Sequence, residues 1–199
     1  MQQSPAIAAH IRRITMCAAL LSAALQLPSL ATEDAAAPTH HGDGYRISDF
    51  RAPVPDSVEG GVTIDTARAR DLFADGETLF IDVLPAPERP QGLAPTALWM
   101  PLPRYNIPGS IWLPNVGYGL LSDDLEDFFK TNLQRFSNGD LDKPMVIYCL
   151  ANCWMSWNAA RRAAAYGYTR VHWYPDGSDG WNADGLPLER SKPVMMDSR

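Results

Sequence analysis

The sequence predicts an α/β domain with a mainly parallel central sheet flanked by helices. Three observations carry this reading. Apolar runs at Leu79–Val83 and Met145–Tyr148 have the character of strands buried on both faces. Helical stretches alternate with the strand-like runs, as they do where parallel strands are joined by crossover helices. The stretch after the second run, Ser156–Tyr166, is alanine-rich and is closed by Gly167, a helix stop.

In chain order, residues 1–31 read as an export signal. Arg12 and Arg13 form a positive start, Ile14–Leu27 an apolar core, and Ser29-Leu30-Ala31 a small-x-small cleavage site. The expected compartment is the periplasm. The apolar run is too short for a membrane span, so none is expected after signal removal. Cys17 follows Met16 rather than a small residue, which argues against a lipoprotein anchor. Cleavage removes two arginines and no acidic residue, taking the net charge from −6 to −8. Such an acidic domain is a poor partner for nucleic acid or anionic membranes. The remaining length suits one domain.

Residues 32–61 read as a flexible or extended lead-in. Thr32–Gly44 has no periodic apolar pattern, His40 and His41 are expected to be solvated, and Tyr45–Glu59 is expected to lie across the domain surface. The domain proper is expected over 62–190, with 191–199 as a C-terminal tail. Val62–Asp65 reads as a strand and Thr66–Asp75 as a helix capped by Thr66, with Ala69, Leu72 and Phe73 on its inner face. Leu79–Val83 is the next strand. Pro85–Pro103 is a long proline-rich loop, a kind that is usually functional or an insertion. Ile107–Pro114 reads as a turn and short strand. Ser122–Phe136 is a helix: Ser122 caps it, Asp123, Asp124 and Glu126 suit its N-terminus, and Leu125, Phe128, Phe129 and Leu133 form its apolar face. Arg170–Tyr174 is a further strand, Pro175–Gly180 a sharp turn, and Leu186–Arg199 a surface trail.

The chemistry is concentrated in Cys149-Leu150-Ala151-Asn152-Cys153-Trp154. Cys149 stands where a strand delivers the chain into a loop that opens into a helix. Backbone N–H groups and the positive end of the helix dipole converge there and favour thiolate over thiol. Cys149 is therefore a candidate nucleophile. Once the signal is gone, Cys149 and Cys153 are the remaining cysteines, open to reading as an oxidised pair, a metal pair or a redox couple. The loop they close is too short for a large constraint on the unfolded chain. Trp157 and Trp173 are expected in the core beside Ala160 and Ala164. Trp154 is expected to offer a flat surface to a cofactor or partner. Arg161 and Arg162 are expected in solvent, unless one folds back toward an anionic ligand, and His172 as a satisfied strand histidine. Met155, Met195 and Met196, with the two sulfurs, offer soft donors for Cu(I). Asp82 ends its strand at the carboxyl edge of the sheet, where ligands bind in such folds.

Taken together, Ile81-Asp82-Val83, Asn106-Ile-Pro-Gly-Ser-Ile-Trp-Leu-Pro114, Val146-Ile-Tyr-Cys149, the Ala-rich helix with Gly167-Tyr168, Arg170-Val171 and Gly177–Trp181 resemble the rhodanese superfamily in order and spacing. That resemblance implies a rhodanese-like three-layer fold with Cys149 at the position of the persulfide-forming cysteine. Cys149-x-x-x-Cys153-Trp154, with Ser156–Ala160, further resembles the exported CxxCW-motif proteins associated with PQQ-dependent catabolism. It implies a periplasmic quinoprotein dehydrogenase or electron-transfer partner, and PQQ as a cofactor to consider.

The resemblance also implies a binding loop made of Leu150, Ala151, Asn152, Trp154, Met155 and Ser156, with Asp82 as its neighbour, and no resident metal. The substrate it implies is a small sulfur compound or thiol. No arginine or lysine lies between Cys149 and Trp157, where a rhodanese loop usually carries one, and the loop is one residue longer. Loss of the cation removes charge-assisted hydrogen bonds to a dianion, each worth about 1.5–3 kcal/mol. Cys153 adds a thiol able to attack a persulfide on Cys149 and release sulfide. Two functions follow as expectations: sulfur transfer or dithiol–disulfide exchange, and a non-catalytic binding module.

Overall fold

The computed structural model describes residues 39–196. The signal segment, with Arg12, Arg13, Cys17 and Ala31, lies outside the described residues. In order, the elements are β1 (Val62–Thr63), α1 (Thr66–Ala74), β2 (Leu79–Asp82), β3 (Arg104–Asn106), β4 (Ile111–Trp112), α2 (Asp123–Ser137), β5 (Met145–Tyr148), α3 (Trp154–Ala165), β6 (Val171–Tyr174), α4 (Gly177–Ala183) and β7 (Glu189–Ser191). No helix among the described residues is long and apolar enough to cross a membrane.

Five strands form one parallel sheet in the order β1-β6-β5-β2-β4. The central strands are buried on both faces, so their side chains divide by alternation. Ile81, Met145, Ile147, Val171 and Trp173 point to one side, where they meet Phe128, Phe129 and Leu133 of α2 and Ala159, Ala160 and Ala163 of α3. Phe80, Val146, Tyr148 and Tyr174 point to the other, where they meet Ala69 and Leu72 of α1 and Trp181 of α4. The result is the expected helix–sheet–helix arrangement in three layers.

The helices follow their local signals. Ser122 caps α2, its side chain accepting from the Leu125 N–H, and Asn138 closes the helix in a left-handed conformation. α1 differs from the expected capping: Asp65, not Thr66, accepts the Arg68 N–H at 2.8 Å. Thr66 instead bonds the Tyr174 hydroxyl at 2.8 Å on the same face of the sheet. Two regions expected to be irregular are ordered. Pro175–Gly180 runs into α4 rather than ending in a turn, and the C-terminal stretch pairs β7 antiparallel with β3. Val194 then donates to the Trp112 carbonyl, so the tail is tied to the edge of the main sheet.

Candidate functional site

The site is built at the carboxyl edge of β5. β2 and β5 run in register, Asp82 beside Tyr148, so Asp82 and Cys149 leave the sheet together. Cys149 and Cys153 are joined in a disulfide, with Cα atoms 6.4 Å apart. Cys153 is the N-cap of α3 and makes no side-chain cap bond. Asn152 takes a left-handed φ of 52°, which turns the chain tightly enough for the two sulfurs to meet. Both cysteines are buried, at 0 % and 2 % exposure, while Leu150 and Ala151 are half-exposed and Asn152 is exposed.

The N–H groups of the loop are largely answered by the protein itself. Ala151 donates to the Asp179 carboxylate at 3.0 Å, Asn152 to the Pro175 carbonyl at 3.1 Å, and Trp154 to the Phe50 carbonyl at 2.9 Å. The Cys149 carbonyl is equally engaged. It accepts from the Ser178 N–H at 3.0 Å, the Ser178 hydroxyl at 3.2 Å and Arg104 Nη2 at 3.4 Å. Gly177 makes this approach possible: its φ is +54°, and a Cβ there would lie 2.5 Å from the Cys149 oxygen.

Behind the loop, Asp82 is fully buried and its Oδ2 pairs with Arg104 Nε at 2.7 Å. Its other oxygen accepts the Leu84 N–H at 3.0 Å. Burial pushes the Asp82 carboxyl up from its ordinary value, against the opposing pull of the Arg104 charge and of its hydrogen bonds. Arg104 also donates to Ser178 Oγ at 3.0 Å, linking Asp82, α4 and the cysteine carbonyl. Asp82 is thus both a turn cap and, through Arg104, a support of the loop. Tyr148, one residue before the cysteine, donates to Ser110 Oγ at 2.7 Å and accepts the Ile107 N–H at 3.0 Å; burial raises its pKa well above the usual phenol value.

Arg104 is the residue that the sequence did not reveal. No cation lies within the cysteine loop, yet this one arrives from the end of the Pro85–Pro103 loop. The faint signal was its place two residues before the Asn106–Pro114 motif. Arg51 also arrives from outside, its residue bridging Cys153 and its guanidinium 3.9 Å from Asp179.

Several other residues fall elsewhere than expected. Met155 and Ser156 are not loop residues: they lie in the first turn of α3, and both are buried. Ser156 donates to the Cys153 carbonyl and accepts from the Trp173 indole, so it locks the helix start to β6. Trp154 offers no open face. It is 7 % exposed, donates its indole N–H to the Pro53 carbonyl, and is enclosed by His40, Arg46 and Trp157. A planar quinone therefore does not fit against it. His40 is exposed, as expected, and its ring lies edge-on to Trp154.

Arg162 is buried rather than solvated, donating to the carbonyls of Val116, Tyr118 and Gly119. The side chain of Arg161 pairs with Glu59 at 2.9 Å. His172 is half-buried with its Nδ1 unpartnered, and burial with nearby Arg68 and Arg170 pushes its pKa down. Trp173 is in the core as expected, and Trp157 packs at its margin. Met195 and Met196 line a groove along α2, so the soft donors are not gathered at the sulfurs. Among the described residues, no group of three or more His, Cys, Asp or Glu side chains is placed to hold a metal.

Comparison with known proteins gives the following likenesses. The chain is similar to the human single-domain sulfurtransferase TSTD1, with 20% identity over 61% of this chain and 95% of that one, at a TM-score of 0.37. It is similar to the polysulfide-sulfur transferase homodimer from Wolinella succinogenes, with 19% identity over 65% of this chain and 79% of that one, at a TM-score of 0.41. It is also similar to an EanB variant in complex with hercynine, with 22% identity over 75% of this chain and 36% of that one, at a TM-score of 0.45. No curated protein matches. The profile of the Rhodanese-like domain matches residues 65–184, from the cap of α1 to the end of α4, and the chain belongs to the rhodanese-like domain family.

Proposed function

We propose that this chain is an exported rhodanese-like thiol protein in which Cys149 is the nucleophile and Cys153 its resolving thiol. The observation that supports it most is the Cys149–Cys153 disulfide at the strand-to-helix junction. In the reduced protein, the Cys149 thiolate attacks the outer sulfur of a persulfide R–S–SH and expels R–S⁻. The Cys153 thiolate then attacks Cys149 Sγ, forms the disulfide and expels HS⁻. The sum is one persulfide and two thiols converted to one thiol, one disulfide and H₂S. An external dithiol restores the pair by becoming a disulfide itself. The same cycle without a sulfane donor is dithiol–disulfide exchange.

Both sulfurs are buried, which favours a second reading: a binding module in which the disulfide braces the loop. The CxxxCW resemblance supports placing either function in the periplasm, beside a quinoprotein dehydrogenase or electron-transfer partner of PQQ-dependent alcohol oxidation. With Trp154 enclosed, such a partner meets the loop at Ala151 and Asn152. Intact-mass analysis after reduction and treatment with a sulfane donor separates the two readings. Wild type is expected to return to the disulfide with release of sulfide, Cys153→Ser to retain one added sulfur atom, and Cys149→Ser to gain none. A pair that neither takes up sulfur nor exchanges with dithiols would leave the brace.

A further inference from the structure

We infer that Asp179 is the residue that sets the charge of the substrate: it holds the anion position of the cysteine loop and turns the site toward neutral or cationic thiols and persulfides. This rests on the reading of Cys149 as the reactive sulfur and names the substrate class for it. The Ala151 N–H lies at the crest of the loop, beside the exposed Asn152. It is where an incoming anion would be received, and Asp179 Oδ2 already occupies it at 3.0 Å. The Asp179 side chain is 49% exposed, on the outer side of the loop.

The cations at the site are already engaged. Arg104 is committed to Asp82, Ser178 and the Cys149 carbonyl, on the inner side of the loop. Arg51 faces Asp179 itself across 3.9 Å. Each of these arginines is matched by one carboxylate, which among the described residues leaves neither of them free for a thiosulfate-like dianion. Such an ion would have to displace Asp179 and then remain beside it, and like charges within a few ångströms oppose binding. Arg51, Ala52, Pro53, Ala151 and Asn152 line a shallow cleft on this outer side. A donor entering there meets Arg51 already paired with Asp179 and the Ala151 N–H already taken by that carboxylate, an arrangement that spares a neutral or cationic thiol the repulsion a dianion would meet.

The test uses Asp179→Asn, which keeps an acceptor for the Ala151 N–H and removes the charge, and Asp179→Ala, which removes both. Oxidised protein is titrated with sodium sulfate at constant ionic strength while the Ala151 amide is followed by NMR. Wild type is expected to show no saturable shift. Both variants are expected to bind sulfate about tenfold or more tightly, the size of effect that one nearby charge produces. The gain should disappear in the Arg51→Ala/Asp179→Asn double variant, because Arg51 is then the cation that sulfate meets. In parallel, kcat/KM is measured for thiosulfate and for the cationic persulfide of cysteamine. Asp179→Asn should narrow the preference for the cationic donor about tenfold, mainly through faster thiosulfate use. Equal sulfate binding in wild type and both variants would overturn the assignment. Absence of sulfur transfer from either donor in every protein would instead overturn the reading of Cys149, and the sulfate titration would still decide the role of Asp179.

Discussion

Arg104 joins three things that the chain separates widely: the end of β2, the start of α4 and the carbonyl of Cys149. Its partner Asp82 is fully buried, so the pair is costly to form and more costly to break. Arg104→Met should destabilise the protein by about 3–5 kcal/mol, because a carboxylate is left uncompensated in the interior. Asp82→Asn/Arg104→Met removes the stranded charge and should recover a large part of that loss. Urea midpoints of the three proteins check this, and a double variant no more stable than Arg104→Met would show that the pair is not the support assigned to it. Asp82 was legible because it closes an apolar run at the edge where such sheets bind ligands. Arg104 was not, since it follows a long proline-rich loop and its role depends on where that loop returns.

Elements with their own periodic face and cap were legible. α2 has Ser122, an acidic first turn and an apolar stripe, and α3 has an alanine-rich stretch ended by Gly167. The elements that escaped are those whose stability comes from elsewhere. β3 and β7 are three residues each and exist through each other across the chain. α4 contains Gly177 and Gly180, which read as a turn, yet Gly177 is needed because the helix start presses on the Cys149 carbonyl. Arg162 escaped for a related reason: on its helix it looks exposed, and only the return of residues 116–119 buries it. For Gly177→Ala, the left-handed φ of +54° costs about 1 kcal/mol and the 2.5 Å approach to Cys149 O adds about 1–3 kcal/mol of overpacking. A total loss of about 2 kcal/mol or more is expected in urea unfolding. Unchanged stability would mean that α4 is free to move off the cysteine loop.

At the scale of the whole molecule, the Tyr45–Glu59 stretch, expected to lie across the domain surface, runs over the site as a strap. Phe50 and Pro53 accept from Trp154, Ser57 accepts from Trp157, and Arg51 bridges Cys153. Its far end is pinned by Asn158, which accepts the Arg46 N–H and donates to the carbonyls of Arg46 and Gly117. Because both sulfurs lie beneath this cover, reduction of the native disulfide by a small dithiol must wait for the strap or loop to open locally. Asn158→Ala removes three hydrogen bonds of about 1 kcal/mol each and leaves their backbone partners to water or to nothing. Part of that loss should appear as easier strap opening, so the disulfide should be reduced about tenfold faster, the equivalent of about 1.4 kcal/mol in the opening equilibrium. Global stability, measured by urea unfolding of the same proteins, separates local opening from general weakening. If reduction quickens only as much as global unfolding does, or not at all, the strap does not gate the cysteines, and the exposed crest at Ala151 and Asn152 is the path by which a dithiol reaches them.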